Sequence, residues 1–125
     1  MNGITLDAGA LIALDRNDRQ VIVLLARASE LGARVIVPAT ALAQVIRNPA
    51  RQMRLSRLIR QADTDLVPLD GRDATAVGLL LSETGTADIV DAHVVICARR
   101  AGQMVVTSDP GDIGRIDPEL RLVAV

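Results

Sequence analysis

Short apolar runs alternate along the chain with longer segments whose apolar residues recur at helical spacing. The runs predict five strands, over residues 2–6, 34–37, 65–69, 103–107 and 120–125. The amphipathic segments predict helices over residues 8–14, 18–31, 39–47, 51–62, 73–83 and 88–101, with a turn or short helix over 110–116. Because the strands are nearly continuous in Val and Ile, we expect a mainly parallel sheet covered by helices on both faces. At 125 residues the chain fits a single α/β domain over 1–125.

Acidic residues stand where the predicted strands end and where the following helices begin. Asp7 and Asp109 directly follow strands, Asp88 and Asp91 open the long helix before the fourth strand, and Asp112 lies three residues after Asp109. In open α/β sheets the ligand sits outside the carboxyl ends of the strands, so these carboxylates are expected to converge. The alternative for each residue alone is a helix cap, a position that Asp favours.

Converging carboxylates repel one another and are tolerated mainly around a hard cation. Oxygen-only donors of this kind suit Mg²⁺ or Mn²⁺, and such a cation activates water against a phosphodiester. The chain has one histidine and one cysteine, His93 and Cys97, so no histidine or cysteine cluster competes with this interpretation. We expect both of these side chains to serve packing.

Composition narrows the function classes further. Aromatic residues are absent, which disfavours proteins that stack bases on ring platforms. All 14 basic residues are arginines, which excludes chemistry that needs a lysine amine, such as a Schiff base or a Walker lysine. The net charge of −1 supplies no general attraction for nucleic acid, so a polyanion needs a local basic patch.

Four segments together resemble a PIN domain and, more narrowly, the VapC toxins of bacterial toxin–antitoxin pairs. The segments are Leu6–Leu14, Val37–Val45, Asp91–Val95 and Val106–Ile113, and they follow the family order from the first strand to the last. The resemblance implies a three-layer α/β/α sandwich with a central mainly parallel sheet, often dimeric. It also implies an endoribonuclease that uses Mg²⁺ or Mn²⁺ and is blocked by a cognate antitoxin.

The resemblance assigns roles residue by residue. Asp7, Asp91 and Asp109 match the first, third and fourth acidic positions of the family, as catalytic metal ligands, and Asp112 matches a frequent additional ligand. The second position, normally Glu, is Gln44 here. An amide oxygen coordinates a hard cation but brings no negative charge and does not act as a base.

Three further residues are candidates for the same site, each with a plainer alternative. Asp88 either replaces the missing charge or faces outward from a solvated first turn. Thr107 and Ser108 precede Asp109, where a hydroxyl orients a carboxylate or contacts a phosphate, or else simply forms the turn.

A run of arginines follows the third predicted helix, and Arg51, Arg54 and Arg57 are its candidates for binding RNA. Their spacing of three keeps them on one slowly drifting side of a helix, where guanidinium groups suit phosphates. The alternatives are a solvated face, or a dimer or antitoxin contact.

The leading hypothesis is therefore a metal-dependent endoribonuclease toxin, with RNA, an antitoxin and a second copy of the chain as partners. The alternative is a PIN-like module that binds RNA or antitoxin without efficient cleavage, because Gln44 stands in place of Glu. A haloacid-dehalogenase-like phosphatase fails because Gly9 stands where its second Asp is needed, and a phosphoacceptor receiver fails for want of a lysine. With a lone cysteine and no apolar run near membrane-spanning length, the expected location is the cytoplasm.

Overall fold

A computed structural model describes residues 2–125 of the chain, and five parallel strands form one sheet within these residues. The strands are β1 (Gly3–Leu6), β2 (Arg34–Pro38), β3 (Thr64–Val67), β4 (Met104–Thr107) and β5 (Leu122–Ala124). The helices are α1 (Ala8–Asp15), α2 (Arg19–Glu30), α3 (Ala39–Val45), α4 (Met53–Ile59), α5 (Gly71–Thr84), α6 (Ile89–Ala101) and α7 (Pro110–Ile116). The α/β prediction is thus confirmed.

The strands lie in the order β3-β2-β1-β4-β5, with β1 at the centre. Ile4 of β1 pairs with Val35 on one side and with Met104 on the other. The chain first builds the sheet outward from β1 to β3, then crosses back to add β4 and β5 on the other side. The direction of winding therefore reverses between β1 and β4, and right-handed crossovers place helices on both faces of the sheet.

Apolar burial holds the layers together. Ile4, Leu6, Val105 and Val106 of the two central strands are completely buried. Helix α6 packs against β1, β2 and β4 and also contacts α3, α5 and α7. No helix within residues 2–125 is long and apolar enough to cross a membrane.

Two glycines end helices as their positions in the sequence predict. Gly32 and Gly102 both adopt the left-handed conformation with φ of +63°, which an L side chain rarely adopts. Gly102 thereby ends α6 directly before β4, the strand that carries part of the candidate site.

The predicted helix over 51–62 is shorter in the structure. Helix α4 begins at Met53, so Arg51 lies in the preceding turn. The Gln52 carboxamide oxygen accepts the backbone N–H groups of Arg47 (2.8 Å) and Asn48 (3.0 Å), which fixes residues 47–52 as a non-helical connection. These side-chain hydrogen bonds, together with the helix-breaking pair Asn48-Pro49, prevent the helix that the spacing of the arginines predicts from including Arg51.

Candidate metal centre at the carboxyl edge of the sheet

A cavity of about 320 Å³ opens at the carboxyl ends of β1 and β4, where the winding of the sheet reverses. Its walls include the side chains of Asp7, Asp88, Asp91, Asp109 and Asp112. The five acidic residues that the sequence singles out therefore line one cavity, although they come from distant parts of the chain.

Asp7 is the most buried of these carboxylates, with 4% of the residue exposed. It follows β1 and caps α1, because its Oδ1 accepts the backbone N–H of Ala10 at 2.8 Å. Burial raises its pKa above the ordinary value, opposed by hydrogen bonds from Thr107 and Ala10. Capping and a place in the cavity are thus combined in one residue.

Thr107 joins the ends of the two central strands. It is completely buried, and its Oγ1 accepts the backbone N–H of Asp109 at 2.9 Å, while its hydroxyl lies close enough to the Asp7 carboxylate to lower the pKa of that group. One side chain therefore orients two of the acidic residues. Ser108 is exposed at the cavity edge and lies against Gly9, where an added Cβ would stand 1.8 Å from Ser108 Oγ.

Helix α6 brings two more carboxylates to the cavity. Asp88 caps the helix by accepting the backbone N–H of Asp91 at 2.9 Å, yet it also lines the cavity rather than facing away from it. Burial, and after it the charges of Asp88, Asp7, Asp112 and Asp109, together raise the pKa of Asp91 to about 6. The neighbouring carboxylates thus disfavour the ionised form of Asp91.

Asp109 and Asp112 occupy the start of α7. Asp109 caps this helix through a 3.2 Å bond from the backbone N–H of Asp112 to its Oδ1. The proximity of Asp109 raises the pKa of the Asp112 carboxyl, which Arg115 lowers in turn.

The chemistry of the donors fits a hard divalent cation, since every candidate ligand offers oxygen. Within residues 2–125, no three His, Cys, Asp or Glu side chains are already close enough together to coordinate one metal ion. The carboxylates in the cavity repel one another. The raised pKa of Asp91 reflects this repulsion and indicates that added positive charge would be favourable there.

Gln44 reaches the same cavity from α3. One turn earlier on this helix, the Thr40 hydroxyl lies 2.7 Å from His93 Nδ1, and His93 is completely buried in α6. This bond fixes α3 against α6 and so sets where Gln44 stands relative to Asp91. His93 itself lies outside the acidic cavity and packs between helices.

The arginine candidates for RNA lie elsewhere. Arg54 and Arg57 line a separate, largely apolar groove of about 390 Å³ beside α2, and none of its lining residues lines the acidic cavity. Arg51 is exposed in the turn before α4. Two arginines that the sequence analysis passed over, Arg16 and Arg115, line depressions that adjoin the acidic cavity. The only signal in the sequence was their place at the ends of the helices that Asp7 and Asp109 cap.

The fold and cavity define a doubly wound α/β protein with an acidic cavity at its switch point. The sequence model of the PIN domain matches residues 4–117, and the chain belongs to the PIN domain family. No curated protein sequence matches the chain significantly.

Several solved structures share this fold. DNA-bound VapBC from Salmonella typhimurium has 21% identity and a TM-score of 0.70, with 99% of this chain and 98% of that chain covered. VapBC2 from Rickettsia felis, bound to a fragment of promoter DNA, has 14% identity and a TM-score of 0.69 over 98% of both chains. FitAcB from Neisseria gonorrhoeae has 17% identity and a TM-score of 0.61 over 95% of both chains. At these identities the likeness establishes a common fold.

Proposed function

We propose that this chain is a VapC-type toxin, a Mg²⁺- or Mn²⁺-dependent endoribonuclease. The observation that carries the proposal is the meeting of five acidic residues in one cavity at the carboxyl ends of β1 and β4. Asp7, Asp91 and Asp109 are the proposed catalytic ligands, with Asp112 as a further ligand. A bound cation there would neutralise phosphate charge and activate water for hydrolysis.

Neighbouring residues hold the carboxylates in position. Thr107 holds Asp7 and Asp109 in place, and the first turn of α1 fixes the Asp7 carboxylate through Ala10. Asp88 fixes the start of α6 and thereby the position of Asp91. Because Asp7, Asp88 and Asp109 each accept a backbone N–H, their carboxylates are held in position before substrate binds.

The proposal includes two protein partners. The names of the similar structures, VapBC and FitAcB, describe complexes, which supports a cognate antitoxin as partner of this chain. A homodimer is supported by apolar side chains left on the surface of α5 and α6, where Leu79 is 61% exposed and Ile89 is 53% exposed.

RNA cleavage with and without cation tests the proposal. The purified protein, incubated with end-labelled total RNA, is expected to produce discrete fragments in Mn²⁺ or Mg²⁺ and none in EDTA. Cleavage that persists in EDTA would contradict the metal dependence, while intact RNA under every cation condition would contradict the nuclease assignment.

The second candidate function is a binding module whose catalysis is weak because Gln44 supplies no charge. If so, Gln44→Glu should raise the cleavage rate on the order of 10-fold and lower the Mn²⁺ concentration needed, because it adds a charged ligand to the cavity. A titration of cleavage against Mn²⁺ measures both effects. Gln61→Glu, which adds the same charge in the separate groove, is the matched control.

Asp88 gives the opposite expectation for the same variant. If its carboxylate already replaces the missing charge, Gln44→Glu changes little and Asp88→Asn impairs cleavage as severely as Asp91→Asn. No response of metal binding or cleavage to either substitution would show that the cation does not use this side of the cavity.

A further inference from the structure

The acidic cavity is the middle part of a longer trough. On the α6 and α7 side it adjoins a depression of about 280 Å³, which shares Asp88, Asp91 and Asp112 with it. On the α1 side it adjoins a second depression of about 430 Å³, which shares Gly9, Ile12 and Ser108 with it. A chain-like ligand that crosses the carboxylates therefore has a path in both directions.

Each end of this trough carries one arginine. Arg115 lines the depression on the α7 side, and Arg16 lines the depression on the α1 side. No other basic residue lines either depression or the acidic cavity within residues 2–125. The carboxylates thus occupy the centre of the trough and extend into its α7 side, and one arginine lies toward each end.

Both guanidinium groups are available to a ligand. The side chain of Arg115 is 78% exposed, and its one ion contact among residues 2–125 is a long 3.9 Å approach to Asp112. Arg16 is exposed and has no ion-pair partner within the same residues. By contrast, Arg34, Arg99 and Arg100 are each paired closely with a carboxylate.

The acidic residue beside Arg16 is Asp18, which caps helix α2. Asp18 lines the same depression, but its Oδ1 accepts the backbone N–H of Val21 at 3.2 Å and so caps α2. No ion pair joins Asp18 to Arg16 within residues 2–125, so the Arg16 guanidinium in this depression is unpaired.

We infer that Arg16 and Arg115 bind the phosphates of a single RNA strand on either side of the phosphate that lies over the carboxylates. The inference rests on the proposed nuclease function and adds to it the path of the substrate. A strand held this way is gripped by its backbone, since the chain has no aromatic side chain on which to stack bases. The arginines also offset the repulsion that five carboxylates exert on an approaching polyanion.

Binding of a fluorescent 12-nucleotide single-stranded RNA, followed by anisotropy in Mg²⁺ over a range of KCl concentrations, tests the inference. Short measurements at low temperature, with gels to show that the RNA stays intact, separate binding from cleavage. Each of Arg16→Gln and Arg115→Gln should weaken binding about threefold to tenfold. Each should also reduce the slope of log affinity against log salt by about 0.7, the value for one phosphate contact on a single strand.

Arg121→Gln is the matched control, since it removes the same charge beside the amino end of β5, in a different depression. An equal loss of slope in this variant would overturn the inference in favour of a diffuse effect of net charge. Unaltered slopes in both trough variants would also overturn it. The triple variant Arg51→Gln, Arg54→Gln, Arg57→Gln tests the competing path over α4. A reduced slope in the triple variant alone would overturn the inference in favour of that path.

The outcome is separable from that of the proposed function. If the wild-type protein cleaves RNA with Mn²⁺ but the trough variants bind as tightly as it does, only the substrate path is wrong. If the wild type binds Mn²⁺ in calorimetry but neither binds nor cleaves RNA, the proposed function fails and this inference fails with it.

Discussion

Asp91→Asn is expected to abolish Mn²⁺ binding and RNA cleavage together, while raising the stability of the metal-free protein. The variant removes one ligand charge, so affinity and cleavage should each fall at least about 100-fold, beyond the usual cost of losing a mere supporting contact. It also removes a carboxylate whose ionisation is disfavoured by burial and by its acidic neighbours. Asp7→Asn and Asp109→Asn should show the same loss of metal binding.

The pH dependence follows from the raised pKa of Asp91. Its pKa is about 6 in the folded protein and about 3.9 in an unfolded chain, so the unfolded state releases the proton first. The wild-type apoprotein should therefore lose stability as pH rises from about 4 to above 6, and Asp91→Asn should show a smaller loss, because only the share of Asp91 is removed. The variant should exceed the wild type in Tm at pH 7.5 and match it near pH 4.

Thermal unfolding at both pH values, with and without Mn²⁺, measures these effects beside calorimetric titration. Mn²⁺ should raise the Tm of the wild type and leave that of Asp91→Asn unchanged. Glu83→Gln is the control, because it removes an acidic charge from an exposed position on α5 that lines none of these cavities. Unchanged Mn²⁺ affinity in all three aspartate variants would disprove the shared site.

Arg100→Met is expected to cost the fold about 3 kcal/mol of unfolding free energy, or about 10 °C in Tm. Arg100 on α6 forms an ion pair with Asp73 on α5, through a 3.1 Å Nη1–Oδ2 contact and a shorter Nη2–Oδ1 contact. The Asp73 side chain is almost wholly buried, so removing Arg100 leaves a buried carboxylate without its cation. His93 Nε2 lies 3.8 Å from Asp73 Oδ2 and forms no hydrogen bond among residues 2–125. It therefore does not compensate for the loss of Arg100.

The loss should depend on pH in a defined direction. The hydrogen bond from Arg100 lowers the pKa of Asp73, so the pair stabilises the fold above the unfolded pKa of about 3.9 and this contribution fades below it. The difference between wild type and variant in urea unfolding should therefore be larger at pH 7 than near pH 3. In the double variant Asp73→Asn, Arg100→Met, part of the stability should return, because no charge is left stranded. A double variant less stable than Arg100→Met alone would contradict this account.

The sequence predicted the local features of the site because they depend on neighbouring residues. A strand followed by Asp and a helix predicts both a capping carboxylate and its place at a strand end, and Asp7 and Asp109 show both. Gly32 and Gly102 end helices because glycine readily adopts the left-handed conformation found there, which an L side chain rarely adopts. The family pattern added Gln44, whose position in the cavity was not deducible from α3 alone.

The arginine run shows where local periodicity is insufficient. A spacing of three suggested one continuous helical face, but Gln52 satisfies backbone N–H groups before α4 and the helix starts two residues after Arg51. The groove beside Arg54 and Arg57 is separate from the acidic cavity because α4 packs beside β3 and α1, away from α6 and α7.

By itself the sequence determined the class of fold, the element order and the presence of carboxylates at strand ends, since hydrophobic period and capping chemistry act over a few residues. Only the tertiary structure decided that β4 lies beside β1, which unites Asp7, Asp91 and Asp109 in one cavity and extends it toward Arg16 and Arg115. Strand order depends on which faces of distant helices and strands bury one another best, and that competition involves the whole chain at once.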